Sequence, residues 1–203
     1  MLEITPGLWR WTAWHPEWKE DVGCVYYEGH DAIVLIDPLV PADEEERFWR
    51  ALDRDVEHDG RPVHVLITIF WHTRSARDVA ARYGARIWAP SRGRAAVERR
   101  TGLTADVFRP GDRLPGGVEA FATARGTEVV YWIPEHRALV PGDVILGGLR
   151  LCPESWLPEK TGRKALAKSL SPLLELPVER VLVSHGEPVL ADGRAALRLA
   201  LRS

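Results

Sequence analysis

The feature that most constrains the fold is an apolar run at residues 65–70, which leads through a short turn into a helical pattern. The run predicts a buried strand, and Ser75 followed by Asp78 is typical of the N-terminus of a helix. A strand followed by a helix places the turn between them at the carboxyl edge of a sheet, where α/β proteins carry their functional residues. The turn contains His72 and Arg74. The stretch therefore predicts an α/β fold with a candidate site at this edge.

The composition is that of an ordinary globular domain. The 203 residues are 45% hydrophobic and 28% charged, with a net charge of -2. Because no linker or low-complexity run divides the chain, residues 1–203 are predicted to form a single domain. The small net charge offers no basic field for nucleic acid. There is no secretory signal pattern and no apolar run of about 18 residues, so we expect a cytoplasmic protein without a membrane or nucleic-acid partner.

The remaining pattern alternates antiparallel strands with strand and helix units. Hairpin signals open the chain, and the helix ending at Gly84 completes a β-α-β unit with the strand that follows it. Predicted strands cover residues 8–14, 22–28, 32–36, 63–70, 85–89, 117–123, 128–133, 137–140 and 180–183. Predicted helices begin near Pro41, Ser75, Ser91 and Thr161 and after Asp192, the fourth covering residues 161–174. Each half of the chain therefore starts with antiparallel strands and continues with mixed units.

Tryptophan is unusually frequent, with nine residues in the chain. Four of them fall within ten residues, at Trp9, Trp11, Trp14 and Trp18. Trp9 and Trp11 share one face of a predicted strand and suit a core. Trp14 and Trp18 flank a turn, where they either cover the edge of a small core, which is the more common role, or form an aromatic lip over a ligand cleft.

Four short motifs, in matching order and spacing, resemble those of the metallo-β-lactamase superfamily. They are the strand that ends in Asp37-Pro38, the apolar strand that ends at Thr68, the segment that ends in Gly142-Asp143, and the segment that contains Ser184-His185-Gly186. The resemblance covers most of the chain. It implies a four-layer αββα sandwich, in which two mixed sheets pack face to face between outer helices.

The metal-binding motif of that superfamily is largely absent from this chain. In the superfamily, the turn after the second motif carries H-x-H-x-D-H, and its residues help to hold one or two zinc or iron ions that activate water. Aligned on Thr68, the four ligand positions are taken by side chains that do not bind such ions: Ile69, Trp71, Thr73 and Arg74. The turn that would supply a third histidine contains Arg125 instead. Asp143 and His185 remain, and a shifted register adds His72.

Arg74 suggests how the chain compensates for the missing ligands. The resemblance places it where the superfamily has a histidine that faces the metal-bridging aspartate. A buried carboxylate that has lost its metal costs several kcal/mol, so a compensating cation is expected. The sequence therefore predicts that Arg74 pairs with Asp143.

Three functional interpretations follow. In the preferred one, the metal centre is degenerate and holds no metal cofactor. The protein is then not a metal-dependent hydrolase and binds a small anionic or aromatic ligand. The residues predicted to bind that ligand are Arg74, Trp71, Trp14 and Trp156. The alternative is a hydrolase with one zinc or iron ion, since His72, Asp143 and His185 supply three ligands and leave one position open. The third interpretation is metal-free acid-base chemistry by His72 and Asp143.

Each of the three candidate ligands also has a purely structural explanation. His72 is of a kind often held by hydrogen bonds at a helix start, and Asp143 can cap the turn that follows its strand. His185 can be a turn residue that the fold requires. The sequence alone leaves these alternatives open.

Overall fold

Apolar strands and amphipathic helices assemble into two mixed sheets covered by helices in the computed structural model, which describes residues 1–202. The first sheet contains seven strands in chain order: β1 (Leu2–Thr5), β2 (Leu8–His15), β3 (Glu20–Glu28), β4 (Ile33–Ile36), β5 (Val63–Leu66), β6 (Arg86–Pro90) and β7 (Ala105–Phe108). Strands β1 to β4 pair antiparallel, and β4 to β7 pair parallel. The predicted hairpin and the β-α-β unit are both present in this sheet.

The second sheet contains β8 (Glu119–Ala122), β9 (Val129–Ile133), β10 (Ala138–Pro141) and, after a ribbon of β11 (Ile145–Leu146) and β12 (Arg150–Leu151), β13 (Arg180–Val181). Its order is β13-β10-β9-β8, with only the β10 and β13 pair parallel. The α-helices are α1 (Glu45–Asp59), α2 (Ala76–Tyr83), α3 (Arg94–Thr101), α4 (Arg163–Leu170) and α5 (Gly193–Ala200). None of the helices within residues 1–202 has the length and apolar character needed to span a bilayer.

Three apolar layers hold the four structural layers together. Phe48 of α1 and Val79 of α2 pack on the outer face of the first sheet. The inner faces of the two sheets meet around Tyr131, which is fully buried. Leu166 of α4 and Leu197 of α5 cover the outer face of the second sheet. The predicted αββα sandwich of two mixed sheets is therefore confirmed.

The strand predicted over residues 63–70 is shorter in the structure, because β5 ends at Leu66. Beyond it, the Ile67 N–H still donates to the Trp88 carbonyl of β6, but the next two carbonyls accept hydrogen bonds from the second sheet. The Tyr131 hydroxyl donates to the Ile67 carbonyl, and the Val129 N–H donates to the Thr68 carbonyl. Ile67 and Thr68 are as buried as the residues of a strand, but they connect the first sheet to the second. Apolar periodicity alone does not reveal this difference.

Two helix predictions also need correction. Ser75 precedes α2, but its hydroxyl accepts the Val40 N–H at 3.0 Å and makes no cap hydrogen bond to the helix. The helix predicted over residues 161–174 divides into α4 and a 3-10 turn, Ser171–Glu175. Pro172 explains the division, because it lacks the N–H that an α-helix requires at that point.

Candidate metal centre

Three loops at one end of the sandwich bring His72, Asp143 and His185 together. His72 lies in a 3-10 turn after β5, Asp143 follows β10, and His185 follows β13. One ligand atom from each lies within 4.8 Å of the other two, and this is the only such group of three or more His, Cys, Asp or Glu side chains within residues 1–202. The Nε2 atoms of both histidines lie 3.1 Å from the Asp143 Oδ1 atom.

The orientation of His72 is fixed by Asp37, which ends the first of the four sequence motifs. His72 is fully buried, and its Nδ1 atom lies 2.8 Å from the Asp37 Oδ2 atom. Asp37 also accepts hydrogen bonds from the Thr68 backbone N–H and hydroxyl. Because an ionised carboxylate only accepts hydrogen bonds, the proton of neutral His72 belongs on Nδ1. In this neutral form, Nε2 faces Asp143 without a proton, as a metal ligand must, whereas protonated His72 presents an N–H there.

This arrangement suits a cation. The His72 Nε2 atom is buried, and its 3.1 Å approach to the Asp143 carboxylate is not aligned as a hydrogen bond. Two acceptors at this distance need a proton or a metal ion between them. Ligand atoms bonded at about 2.0–2.2 Å to a four-coordinate ion lie little more than 3 Å apart. A histidine whose other ring nitrogen is held by a carboxylate is also the usual support for a metal ligand. The three side chains fit a divalent metal ion.

The charges of His72, Asp37 and Asp143 interact strongly because these side chains are buried from solvent. Burial and the charge of Arg74 lower the pKa of His72, but Asp143 and Asp37 outweigh them and raise it above the ordinary value. Burial raises the pKa of Asp143, but the charge of His72, followed by the hydrogen bond and charge of His185, outweighs burial and holds it well below its usual range. Asp143 is therefore an ionised carboxylate, the form in which it binds metal.

Glu128 holds the loop that carries Asp143. Its carboxylate is almost fully buried and accepts the backbone N–H groups of Asp143 and Val144. It also accepts a 2.7 Å hydrogen bond from the guanidinium of Arg125. Burial, followed by the charge of Asp143, raises the pKa of Glu128 to about 7. Glu128 thus fixes the Asp143 backbone and pairs with the nearest buried cation.

The loop that carries His185 is held from the first sheet. The Gly23 N–H of β3 donates to the Ser184 carbonyl at 2.6 Å. The buried guanidinium of Arg10, from β2, donates to the Val183 and Gly186 carbonyls at 3.3 and 3.0 Å. Both sheets therefore determine the position of His185.

Arg74 does not pair with Asp143, so the pairing predicted from the sequence is wrong. Its guanidinium donates to the carbonyls of Gly23 and Asp37 at 3.1 and 2.9 Å and to the Ser184 hydroxyl at 2.7 Å. The backbone of Arg74 has a positive φ of 36°, a conformation that costs a non-glycine residue about 1–3 kcal/mol and persists only when its surroundings enforce it. Arg74 connects the loops of the site instead of entering it.

Arg125 is the cation beside Asp143, and sequence reasoning missed it. A guanidinium nitrogen lies 3.8 Å from the Asp143 Oδ2 atom, which also accepts a 2.7 Å hydrogen bond from the Trp71 indole. The guanidinium stacks over the Trp71 ring with 5.3 Å between its carbon and the ring centroid. Its sequence signal was present, because Arg125 occupies the turn that aligns with the superfamily's third histidine.

A cavity of about 460 Å³ opens over these residues. Its lining consists of Trp18, Glu20, Trp71, Arg125, Asp143, Trp156 and His185. Of the four residues predicted to bind a ligand, Trp71 and Trp156 line this cavity and Arg74 and Trp14 do not. Trp14 is 58% exposed. Trp18 lies over the site, with its ring 5.6 Å from that of His72 and 5.7 Å from that of His185.

The layers, the strand order and the position of this site at the ends of both sheets define the class: the chain has the metallo-β-lactamase fold. It matches the metallo-β-lactamase from Pontibacter korlensis with a TM-score of 0.71 and 16% identity, over 100% of this chain and 98% of that one. It also matches the mono-zinc form of the metallo-β-lactamase FIM-1 from Pseudomonas aeruginosa, with a TM-score of 0.69 and 14% identity, over 98% and 93% of the two chains.

A curated relative is found at the level of sequence. The chain is 31% identical over 174 residues to the hydroxyacylglutathione hydrolase of Methylobacterium nodulans. The match covers 83% of this chain and spans 64% of the length of that relative. No protein-family model matches the chain.

Asp37 provides a test of how His72 is oriented. Replacing Asp37 with asparagine is expected to lower zinc affinity by about 10- to 100-fold, because the amide no longer holds the His72 proton on Nδ1. Asparagine also tolerates the positive φ of this position, 49°, so the backbone is preserved. Isothermal titration of metal-free protein with zinc measures the effect. Unchanged zinc affinity would show that Asp37 serves only the loop.

Proposed function

We propose that the chain binds one divalent transition metal ion through His72, Asp143 and His185 and hydrolyses a small acyl substrate there. The observation that carries this proposal is the buried His72 Nε2 atom, which has no hydrogen-bond partner within residues 1–202 and lies 3.1 Å from the Asp143 carboxylate, while Asp37 holds the opposite ring nitrogen. The relatives support the choice of chemistry, since one is called a hydroxyacylglutathione hydrolase and one is a metallo-β-lactamase in a mono-zinc form.

The protein residues have distinct roles in this proposal. His72, Asp143 and His185 would hold the ion and leave an open coordination position. A bound ion supplies a Lewis acid and a water molecule with a lowered pKa. Trp18 and Trp156 line the pocket with aromatic surface, and Trp71 fixes the second oxygen of Asp143 through its indole N–H. The pocket volume of about 460 Å³ suits a small substrate.

The test is metal removal and restoration. Metal-free protein titrated with zinc is expected to bind one ion per chain. Hydrolysis of p-nitrophenyl acetate and of a chromogenic cephalosporin, a lactam, is the activity assay. The expected activity on at least one substrate disappears with a chelator and returns with one equivalent of zinc. Hydrolysis unaffected by chelation, or no stoichiometric zinc, would contradict the proposal.

A second candidate is a metal-free binding protein. One observation favours it: Asp143 already has a hydrogen bond from Trp71 and the charge of Arg125 within 3.8 Å, so its carboxylate is compensated without an ion. In that case, small anionic or aromatic ligands bind in the same pocket. The zinc titration discriminates between the two candidates, because only the first requires one ion per chain.

A further inference from the structure

Arg125 is a buried cation with hydrogen-bond donors left over. It is only 7% exposed, yet it lines the pocket. One terminal nitrogen donates to Glu128 at 2.7 Å and the other donates to the Trp156 carbonyl at 2.8 Å. A guanidinium carries five N–H groups, and these two bonds use one N–H of each terminal nitrogen; the Nε atom also has no partner within residues 1–202, but it is buried. The side chain can therefore donate further hydrogen bonds without losing those that hold it.

Asp143 does not accept the remaining Arg125 N–H groups. Its Oδ2 atom lies 3.8 Å from the nearest Arg125 nitrogen, beyond hydrogen-bond distance, and accepts the Trp71 N–H instead. Its Oδ1 atom faces His72 and His185. When Asp143 binds a metal ion, still less of its charge remains for Arg125. The pocket then contains a cation balanced only by Glu128.

The surroundings hold the guanidinium plane in one orientation. The Arg125 guanidinium carbon lies over the Trp71 ring, 5.3 Å from its centroid, and the hydrogen bonds to Glu128 and Trp156 hold the planar fork in a way that lysine does not reproduce. Trp18, Trp71 and Trp156 supply aromatic surface on the walls of the same pocket. A ligand that contacts these tryptophans needs a flat apolar part. A ligand that accepts two hydrogen bonds from the guanidinium needs a carboxylate.

We infer that Arg125 binds the carboxylate of a small, flat ligand whose apolar part contacts the pocket tryptophans. The inference names the ligand class of the pocket and rests on the function proposed above only in placing that ligand beside His72, Asp143 and His185. Arg125 is a specificity-determining residue in this account, and it orients the ligand relative to the three metal-binding side chains.

The test compares benzoate with its neutral analogue benzamide by isothermal titration, with and without zinc. In the variant Arg125→Met with Glu128→Gln, both charges of the buried pair are removed together, and the glutamine Oε1 can still accept from Asp143 and Val144. Benzoate affinity is expected to fall about tenfold, because one hydrogen bond to a charged group is lost. Benzamide affinity is expected to change less than about twofold. Melting temperatures show whether the variant folds.

Arg125→Lys is the second variant, since it keeps the charge beside Glu128 and loses the planar fork. A folded lysine variant is expected to lose benzoate affinity while keeping that for benzamide. Equal benzoate affinity in wild type and either folded variant would overturn the inference, as would absence of benzoate binding to the wild type. Zinc stoichiometry of the same wild-type sample separates this inference from the proposed function. If the wild type binds benzoate through Arg125 but binds no zinc, the proposed metal centre is wrong and the role of Arg125 stands.

Discussion

Replacing His185 with alanine is expected to lower zinc affinity by at least about 100-fold and to reduce zinc-dependent hydrolysis to background. The change removes one of three protein ligands, and two ligands do not retain an ion at a site that must also leave a position open. The His185 side chain lines the pocket but is only 11% exposed, so the melting temperature of the variant is compared with that of the wild type to separate loss of a ligand from loss of packing. Zinc titration and a chelator-controlled activity assay measure the two effects.

His30→Ala is the matched control, because it makes the same chemical change on an exposed turn. The His30 side chain is 61% exposed and forms an ion pair with the neighbouring Asp31, at 3.7 Å. Zinc affinity and activity of this variant are expected to equal those of the wild type. If His185→Ala also kept one zinc ion per chain and its activity, His185 would not be a ligand, and the three-residue centre would be disproved.

The parts of the fold that the sequence predicted are those with a strong local signal. The apolar strands β4 and β5 and the αL residue Gly84 at the end of α2 are visible as runs and turn residues. Strands β1 and β7 were not predicted. Both are edge strands with one partner each, and each is only 4 residues long, which is too short to show a clear alternating pattern.

The candidate site was predictable only where the motifs carry its residues. Asp143 and His185 follow from the resemblance, and His72 was noticed from its position after an apolar run. The pairing of Asp37 with His72 joins residues 35 apart in the chain, and that of Trp71 with Asp143 joins residues 72 apart. No local periodicity encodes such contacts, because the first depends on the pairing of β4 with β5 and the second on how the two sheets are packed.

The wrong partner for Asp143 has a specific physical cause. Sequence reasoning required a compensating cation and chose Arg74, which lies in the motif turn. The positive φ of Arg74 and the carbonyls of Gly23 and Asp37 direct that side chain to the loops instead. Arg125, in the loop between β8 and β9, is the guanidinium that lies 3.8 Å from Asp143, while His72 and His185 are the groups that lower the Asp143 pKa. The identity of these partners depended on backbone geometry that the sequence does not display.

Gly142→Ala is expected to destabilise the protein by about 3 kcal/mol, the upper end of the cost of forcing a group into a packed interior. A Cβ atom at this position would lie 2.7 Å from the Glu128 Oε1 atom, 2.8 Å from the Thr68 hydroxyl and 3.1 Å from the Thr68 Cβ atom. Neither neighbour can move freely, because Glu128 accepts the Asp143 and Val144 N–H groups and Thr68 donates to Asp37. Relief of the clash therefore breaks buried hydrogen bonds.

Denaturant unfolding of metal-free protein measures this loss, which corresponds to a melting temperature about 6–12 °C lower for a chain of this size. Gly93→Ala is the control. Its added Cβ would lie 3.4 Å from the Pro90 carbonyl, an ordinary contact, and its φ of -95° suits alanine, so stability should stay the same or rise by up to about 1 kcal/mol. Equal stability of the Gly142 and Gly93 variants would show that the Asp143 loop can shift without a loss of stability. Glu128 and Thr68 would then not be the rigid support that positions Asp143 against the two histidines.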